Sequence, residues 1–242
     1  MSEASPIFIL WVYLSASPLL WLTLTIGAFL TARRVAEASG NHPLVNPILL
    51  SIAALVGLLH ITRTPYAVYF SGAQFVHFTL GPATVALGVP LYRNRRLVVE
   101  TVLPIAGALL VGACVAVISA VGLATLFGLP GPVIAALAPK SVTAGIAMGI
   151  AEQIGADPAL TAVFVIFTGI VGAIAVTPLM NGLRIRDYAA RGFAAGLASH
   201  GIGTARAFQV HDLAGTFAGL AMALNGLATA LLVPFLIERL HP

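Results

Sequence analysis

The chain has 242 residues, of which 59% are hydrophobic and only 8% are charged. Because a soluble globular domain carries about 25% charged residues, this composition excludes an ordinary soluble enzyme and predicts a polytopic membrane protein. The formal net charge of +4 comes from arginines in short loops, and nothing in the pattern indicates nucleic-acid binding. The sequence contains no Walker loop, dinucleotide fingerprint, CxxC or HExxH motif. We therefore expect no cofactor, no metal ion and no enzymatic activity.

The apolar residues fall into roughly seven or eight segments of helical length. None shows the alternation of a lipid-facing barrel strand, so the predicted fold is all-α. In chain order the segments are Ile7–Thr31, Pro47–Thr62, Tyr66–Tyr92, Val98–Leu129, Val133–Gly155, Pro158–Pro178, Gly192–Phe208 and Leu213–Leu236. We expect one integral membrane domain over residues 1–242, with an N-terminal span and cytoplasmic loop (1–44), a first repeat (45–129) and a second repeat (130–242).

An internal repeat underlies this division. The sequence GPATVALGVPL at Gly81–Leu91 aligns without a gap onto APKSVTAGIAM at Ala138–Met148. Proline and glycine in both copies predict broken or re-entrant helices at Gly81-Pro82 and at Pro139-Lys140. Such breaks are tolerated in a membrane only where the freed backbone lines a cavity or packs on protein. The alternative is a chance recurrence of small apolar residues.

The arginines predict the orientation, because cytoplasmic loops carry an excess of positive charge. If the segment Val133–Gly155 dips into the membrane and returns, the residues assigned to the inside are Arg33, Arg34, Arg93, Arg95, Arg96, Arg184, Arg186, Arg191 and Arg239. The outside then holds Glu3, Arg63, Asp157 and Asp212, which places the N-terminus outside. The helices after Pro82 and Pro139 then run in opposite directions, which is the signature of an inverted repeat.

Lys140 is the residue around which the predicted site is organised. A charge at bilayer depth costs roughly 2.5–3.5 kcal/mol on insertion scales, and the preceding Pro139 opens the backbone at this point. We interpret Lys140, Ser141 and Thr143 as groups that bind an anion. The alternative is a structural lysine neutralised by carbonyls or reaching water. Glu152 is too far along a straight helix to pair with Lys140, so it is either an interfacial carboxylate or a proton-coupling group.

The glycine-rich segment Gly192–Phe208 supplies a second set of polar groups. In one continuous helix a single stripe would hold Gly192, Gly196, Ser199, Gly203 and Arg206, with His200 and Thr204 on the neighbouring face. Arg206 is interpreted as a second cation, or alternatively as a helix-end arginine that reaches headgroups. His200 is a candidate proton relay or hydrogen-bond donor. Asn225 in the last segment is interpreted as structural, holding helices together. The sequence leaves open whether residues 133–155 and 192–208 span or re-enter.

Several of these segments resemble one known family. PKSVTAGIAM, IAEQIG, LTAVFVIFTGIVGA, ASHGIGTARAF and AGLAMALNGLATALLVP look like the signature run of the LrgB/CidB family, and LGPATVALGVPLY matches its first-half motif. The resemblance covers most of the chain from about residue 45 onward. It implies that the following residues are motif positions: Lys140, Ser141, Ser199, His200, Thr204 and Arg206. One departure lies at Ala144–Gly145, where Thr/Ser-Pro or a similar pair is expected after Thr143.

The resemblance implies two different functions for a multi-pass protein of the bacterial inner membrane. Family members are described as antiholin-like regulators of murein hydrolase activity and autolysis, which often pair with a small LrgA/CidA-type membrane protein. The family is also similar to the plastidial glycolate/glycerate translocator, which implies transport of small hydroxy-monocarboxylates. Our leading hypothesis is a secondary carrier of glycolate-, glycerate- or lactate-like anions, with proton coupling through His200 or Glu152. The expected partners are the organic anion, membrane lipid, an LrgA/CidA-type protein and further copies of the chain.

Overall fold

The structure is a computed structural model that describes residues 17–42, 44–79, 82, 85–86 and 88–240. These residues form helices and no strand, which confirms the all-α prediction. The helices are α1 (Pro18–Ala38), α2 (Pro47–Thr62), α3 (Tyr66–Phe78), α4 (Gly88–Arg93), α5 (Arg95–Glu100), α6 (Val102–Leu126), α7 (Gly131–Leu137), α8 (Ala144–Gln153), α9 (Pro158–Gly182), α10 (Tyr188–Val210) and α11 (Asp212–Leu240).

Four of the described helices are long and apolar enough to cross a membrane: α1, α6, α9 and α11. Helices α6 and α9 have 25 residues each, and at 1.5 Å per residue such a helix is about 37 Å long. That length exceeds the roughly 30 Å of a hydrocarbon core. Helix α2 is apolar but shorter. The chain is therefore a multi-pass membrane protein.

The chain divides into two compact units, Met1–Ala86 and Leu87–Pro242. In the first unit, α1 packs against α3 around Trp21, which is fully buried and meets the ring of Tyr69 edge-on at 5.8 Å. Gly72 allows this close approach, because a side chain there would collide with the Pro18 carbonyl. The predicted repeats over 45–129 and 130–242 stay a prediction.

In the second unit, helix α10 is interrupted in its middle and folds back on itself. The backbone leaves the helical region at Ser199 (φ −130°, ψ 16°) and at His200 (φ 42°, ψ −133°). Gly203, after the break, packs so closely on Ala195 that a Cβ added to it would lie 2.5 Å from the Ala195 carbonyl oxygen. In a straight helix a separation of eight residues is about 12 Å. The half after His200 therefore returns alongside the half before Ser199.

The two ends of α10 confirm this hairpin. The ring of Tyr188, at its first residue, stacks on the ring of His211, just beyond its last, with centroids 4.2 Å apart. The predicted stripe from Gly192 to Arg206 is therefore wrong, because those residues lie on two antiparallel half-helices. The segment 192–208 enters and returns rather than spanning, which answers the question that the sequence left open.

Helices α7 and α8 form a second hairpin. They are separated by a turn over residues 138–143, which confirms the break predicted at Pro139-Lys140. Ala136 of α7 lies in the same buried cluster as Ala151 and Ala156 near the end of α8, although Ala136 and Ala151 would be about 22 Å apart on a straight helix. The chain therefore turns back after residue 143, toward the end at which α7 begins. The other predicted break, at Gly81-Pro82, falls where residues 80, 81, 83 and 84 lie outside the described residues.

The hairpins enter from opposite ends of the second unit. Helix α11 starts at the base of α10 and runs parallel to its first half, because Gly192 packs on Ala214 and Gly196 packs on Ala218. At the other end of α11, Ile237 shares a core cluster with Ile134 of α7. We call the end formed by residues 184–191 and 211–212 the arginine end, and the end formed by residues 127–131 and 154–158 the Asp157 end.

The orientation predicted for Asp212 and Arg239 is wrong. The prediction counted the segment 192–208 as a full crossing, but the α10 hairpin returns to the end that it left. Asp212, at the start of α11, therefore lies at the arginine end together with Arg184. Arg239, near the last residue of the same helix, lies at the Asp157 end.

This topology predicts which positions share a membrane surface. In a Cys114→Ala background, single cysteines at Arg186 and His211 are expected to react with a membrane-impermeant maleimide from the same side. A cysteine at Gly155 is expected to react from the opposite side. All three positions are exposed. Reaction of the cysteines at 186 and 211 from opposite sides would show that α10 spans the membrane instead.

Candidate functional site

The tips of the two hairpins meet at one buried side chain, Asn225, near the middle of the 29-residue helix α11. The Nδ2 atom of Asn225 donates to the carbonyl oxygen of Ser141 at 3.2 Å and to that of Leu197 at 3.0 Å. Thr229 Oγ1 donates to Asn225 Oδ1 at 3.4 Å. Ser141 lies in the turn between α7 and α8, and Leu197 lies two residues before the break in α10. One amide thus ties both breaks to the same helix.

Lys140 lies in the tip of the α7–α8 hairpin. Its Nζ donates to Ser141 Oγ at 3.2 Å, and the side chain is partly buried. Within the described residues the one ion pair joins Arg33 to Glu37 in the other unit, so no described carboxylate neutralises Lys140. A cation without an acidic partner at this depth is costly in lipid. It is an electrostatic match for an anion.

Lys140 and Ser141 line one end of a cavity of about 610 Å³ between α6 and the first half of α10. Residues Asp187 and Thr101 line its other end, which is the arginine end. From Asp187 to Ala198, beside the α10 break, the helix rises about 16 Å. The cavity therefore leads from one surface to roughly the middle of the bundle, where the two hairpin tips meet.

Ser199 and His200 form the tip of the α10 hairpin, and both are buried against α9. His200 Nε2 lies 2.9 Å from the carbonyl oxygen of Val165. Because a carbonyl only accepts, Nε2 carries the hydrogen and donates it. His200 also has φ 42°, a backbone conformation that is strained for a residue other than glycine. Strain of this kind clusters at functional sites.

Two glycines of α9 make room for this tip. A Cβ on Gly169 would lie 2.7 Å from Cε1 of His200, and a Cβ on Gly172 would overlap Ser199 Oγ. The sequence interpretation missed both residues, because α9 was a plain apolar span. A glycine pair three residues apart was the available signal, since small residues let helices approach closely.

The other predicted residues lie away from the Lys140 cavity. Thr204 Oγ1 donates to the His200 carbonyl at 2.8 Å and contacts Met222 Sδ at 3.9 Å, so it holds the returning half of α10 to α11. Arg206 is buried, donates to Gln209 Oε1 at 3.1 Å and lines a separate small cavity with Arg191.

Thr143 and Glu152 lie at the two ends of α8. Thr143 is the N-cap residue of α8 and makes no side-chain capping bond. Glu152 is exposed near the last residue of that helix, at the Asp157 end, so it does not meet Lys140. No group of three metal-ligating side chains comes together within the described part of the chain.

The fold and the site define an all-α membrane protein with two opposed hairpins and a partly buried lysine. The chain belongs to the LrgB-like family, whose model matches residues 25–239. It is 37% identical over 223 residues to the uncharacterized protein YwbG of Bacillus subtilis (strain 168), covering 90% of this chain and 96% of YwbG.

Other relatives carry a functional name. The chain is 30% identical over 219 residues to the holin-like protein CidB of Staphylococcus aureus (strain Mu50), covering 90% of this chain and 95% of that protein. It is 28% identical over 225 residues to the holin-like protein CidB of Staphylococcus epidermidis (strain RP62A), covering 93% and 97%. No solved structure matches the chain.

Proposed function

We propose that this LrgB-like protein is a secondary carrier of small organic anions in the bacterial inner membrane. The observation that supports the proposal is the position of Lys140. It lies at the end of the cavity near the middle of the bundle and has no acidic partner among the described residues. In this proposal the carboxylate of a glycolate-, glycerate- or lactate-like substrate accepts hydrogen bonds from Lys140 Nζ and Ser141 Oγ. The start of α8 after Thr143 adds a favourable helix dipole.

The opposed hairpins give the proposal a structural basis. Residues 131–182 and 187–240 each contain a hairpin followed by a long helix, and the two sets enter from opposite ends. We propose that they are inverted repeats, a plan that carriers use to place a substrate site between broken helices near the midplane. The cluster of Arg184, Arg186 and Arg191 then assigns the arginine end to the cytoplasm, so the cavity faces inward.

The remaining predicted residues take supporting parts in this proposal. His200 and Ser199 shape the second tip, Thr204 holds the returning half of α10 to α11, and Arg206 lines the separate small cavity with Arg191. His200 is the favoured group for proton coupling, since it is buried at the tip that is tied to Lys140's hairpin through Asn225. Glu152, exposed at the Asp157 end, is a weaker candidate for that role.

The second candidate is a holin-like or antiholin-like regulator of murein hydrolase export that acts with an LrgA/CidA-type partner. The holin-like names of the CidB relatives favour this candidate over the carrier. It requires no substrate site, and it predicts that assembly of the chain with its partner changes membrane permeability. Neither candidate is an enzyme.

Proteoliposomes distinguish the two candidates. The chain is reconstituted alone and with an LrgA/CidA-type protein, and uptake of radiolabelled glycolate and lactate is measured with and without an imposed pH gradient. Trapped calcein reports non-selective leakage in the same vesicles. A carrier is expected to give saturable, gradient-dependent accumulation and counterflow while calcein is retained.

Each outcome supports or excludes one of the two candidate functions. Accumulation only after the partner is added identifies a two-component carrier. Release of calcein without saturable uptake supports the holin-like candidate. Neither uptake nor leakage in any combination would overturn the carrier proposal.

A further inference from the structure

Two stretches of the second unit bring arginines to the arginine end. The six arginines of these stretches, five exposed and one half-buried, are Arg93, Arg95, Arg96, Arg184, Arg186 and Arg191. The first three belong to α4 and α5, which precede α6. They lie at this end because Leu97, which follows them, shares a core cluster with Ala189 and Leu213. We call these six residues the arginine surface.

The carboxylates at this end do not neutralise the arginine surface. They are Glu100, Asp187 and Asp212, and they are outnumbered by the arginines. Asp187 Oδ1 accepts a hydrogen bond from the Ala190 amide at 2.7 Å, and Asp212 lies in the first turn of α11, where a helix dipole favours a negative charge. Within the described residues the one ion pair lies in the other unit. The arginine surface therefore carries an excess of positive charge that an external anion can match.

Exposed apolar side chains lie next to these arginines, on the side toward the middle of the bundle. On α5 and α6 they include Val99 and Leu103, and Leu103 is 81% exposed. On α9 they include Leu179 and Leu183, and Leu183 is 60% exposed. Cations at the end of the bundle with apolar side chains further in follow the order of headgroup and acyl chain in one lipid molecule. A soluble anion would contact the arginines alone.

Tyr92 indicates that the arginine surface lies at the level of the lipid headgroups. Its side chain is exposed, and its ring lies 4.6 Å from the guanidinium carbon of Arg95. Tyrosine is enriched at membrane–water interfaces. The guanidinium of arginine suits the phosphate of a headgroup, because its planar fork can donate two parallel hydrogen bonds to phosphate oxygens.

We infer that the arginine surface binds the phosphate groups of anionic phospholipids, whose acyl chains lie along the exposed apolar side chains of α6 and α9. The excess of positive charge selects anionic over zwitterionic headgroups. An acidic protein surface is the alternative ligand, but the apolar side chains beside the arginines favour lipid. The inference does not depend on the Lys140 site, and it applies to either candidate function.

Lipid titrations of the full chain, followed by native mass spectrometry, test the inference. Protein released from detergent micelles is titrated with dioleoyl phosphatidylglycerol or with dioleoyl phosphatidylcholine, which have the same acyl chains. Phosphatidylglycerol is expected to bind at least tenfold more tightly. Each arginine near an anionic lipid surface is worth roughly fivefold in affinity. The double variant Arg184→Gln/Arg186→Gln is therefore expected to weaken phosphatidylglycerol binding about tenfold or more, and the triple variant Arg93→Gln/Arg95→Gln/Arg96→Gln at least as much, with phosphatidylcholine binding unchanged.

The matched control is Arg33→Gln/Arg34→Gln, which removes two exposed arginines from α1 and is expected to keep the preference for phosphatidylglycerol. Thermal unfolding in detergent verifies that each variant is folded. Equal affinities for the two lipids would overturn the inference. A loss in the control as large as that in the double variant would also overturn it, because binding would then follow net charge alone.

Two soluble competitors separate the sources of negative charge. Glycerol phosphate and polyglutamate are each added to the complex with phosphatidylglycerol, and neither is expected to displace the lipid at equal concentration. Displacement by glycerol phosphate would show that the arginine surface takes a free phosphate-bearing anion. Displacement by polyglutamate would identify an acidic protein surface as the ligand. Either displacement would overturn the assignment to lipid.

Discussion

Replacing Lys140 with methionine is expected to abolish accumulation of glycolate and lactate in proteoliposomes, to below about one-tenth of the native rate. Methionine keeps much of the length of the side chain and removes only the charge and the donor to Ser141 Oγ. A carboxylate brought to this end of the cavity would then find no cation, and a charge that gives up water without a partner is costly. The rate of uptake by purified, reconstituted variants checks this expectation.

Two controls separate charge from structure. Lys140→Arg keeps the positive charge, so it is expected to retain more uptake than Lys140→Met, although a planar guanidinium is not equivalent to an ammonium. Arg34→Met removes an exposed cation from α1 and is expected to leave uptake unchanged. Native kinetics in Lys140→Met would remove Lys140 from the site.

Lysine chemistry offers an independent check, because Lys140 is the sole lysine of the chain. Reductive methylation therefore modifies Lys140 and the N-terminal amine alone. In the carrier proposal, saturating substrate protects Lys140 from the reagent. Modification at the same rate with and without substrate would argue that the substrate lies elsewhere.

The hairpin at Lys140 was predictable because a proline next to a charge is hard to accommodate in a continuous membrane helix. The hairpin in α10 was not. Residues 188–210 contain no proline, and 23 residues are enough to cross a bilayer. The fold-back depends on contacts between residues distant in sequence, such as Tyr188 with His211. No local pattern encodes such contacts.

Because α10 was treated as one continuous helix, the positions predicted for its site residues were also wrong. A helical repeat placed Ser199 and Arg206 on one face, whereas the break directs Ser199 onto Gly172 and leaves Arg206 in the returning half. The sequence led us to interpret Asn225 as a structural residue that holds helices together, but it could not identify the partners of Asn225. Ser141 and Leu197 are 84 and 28 residues away, and only the meeting of both hairpins brings them to one amide.

Gly172→Ala is expected to lower the uptake rate at least tenfold and to destabilise the chain by about 1–3 kcal/mol, the usual cost of overpacking a close contact. The added methyl would overlap Ser199 Oγ, so the tip of α10 would have to leave α9. His200 would move with it, and its hydrogen bond to the Val165 carbonyl would lengthen. Thermal unfolding in detergent and reconstituted uptake measure the two effects.

Gly182→Ala is the matched control, because it lies in the same helix with no heavy atom within 4 Å of the added Cβ. It is expected to keep native uptake and stability.

The double variant Gly172→Ala/Ser199→Gly removes the Ser199 side chain that causes the collision. Recovery of stability beyond the sum of the two single changes would measure the contact directly. If stability returns while uptake does not, the Ser199 hydroxyl itself takes part in transport. A Gly172→Ala protein with native stability and native uptake would contradict the packing of the α10 tip against α9, on which the geometry of the site depends.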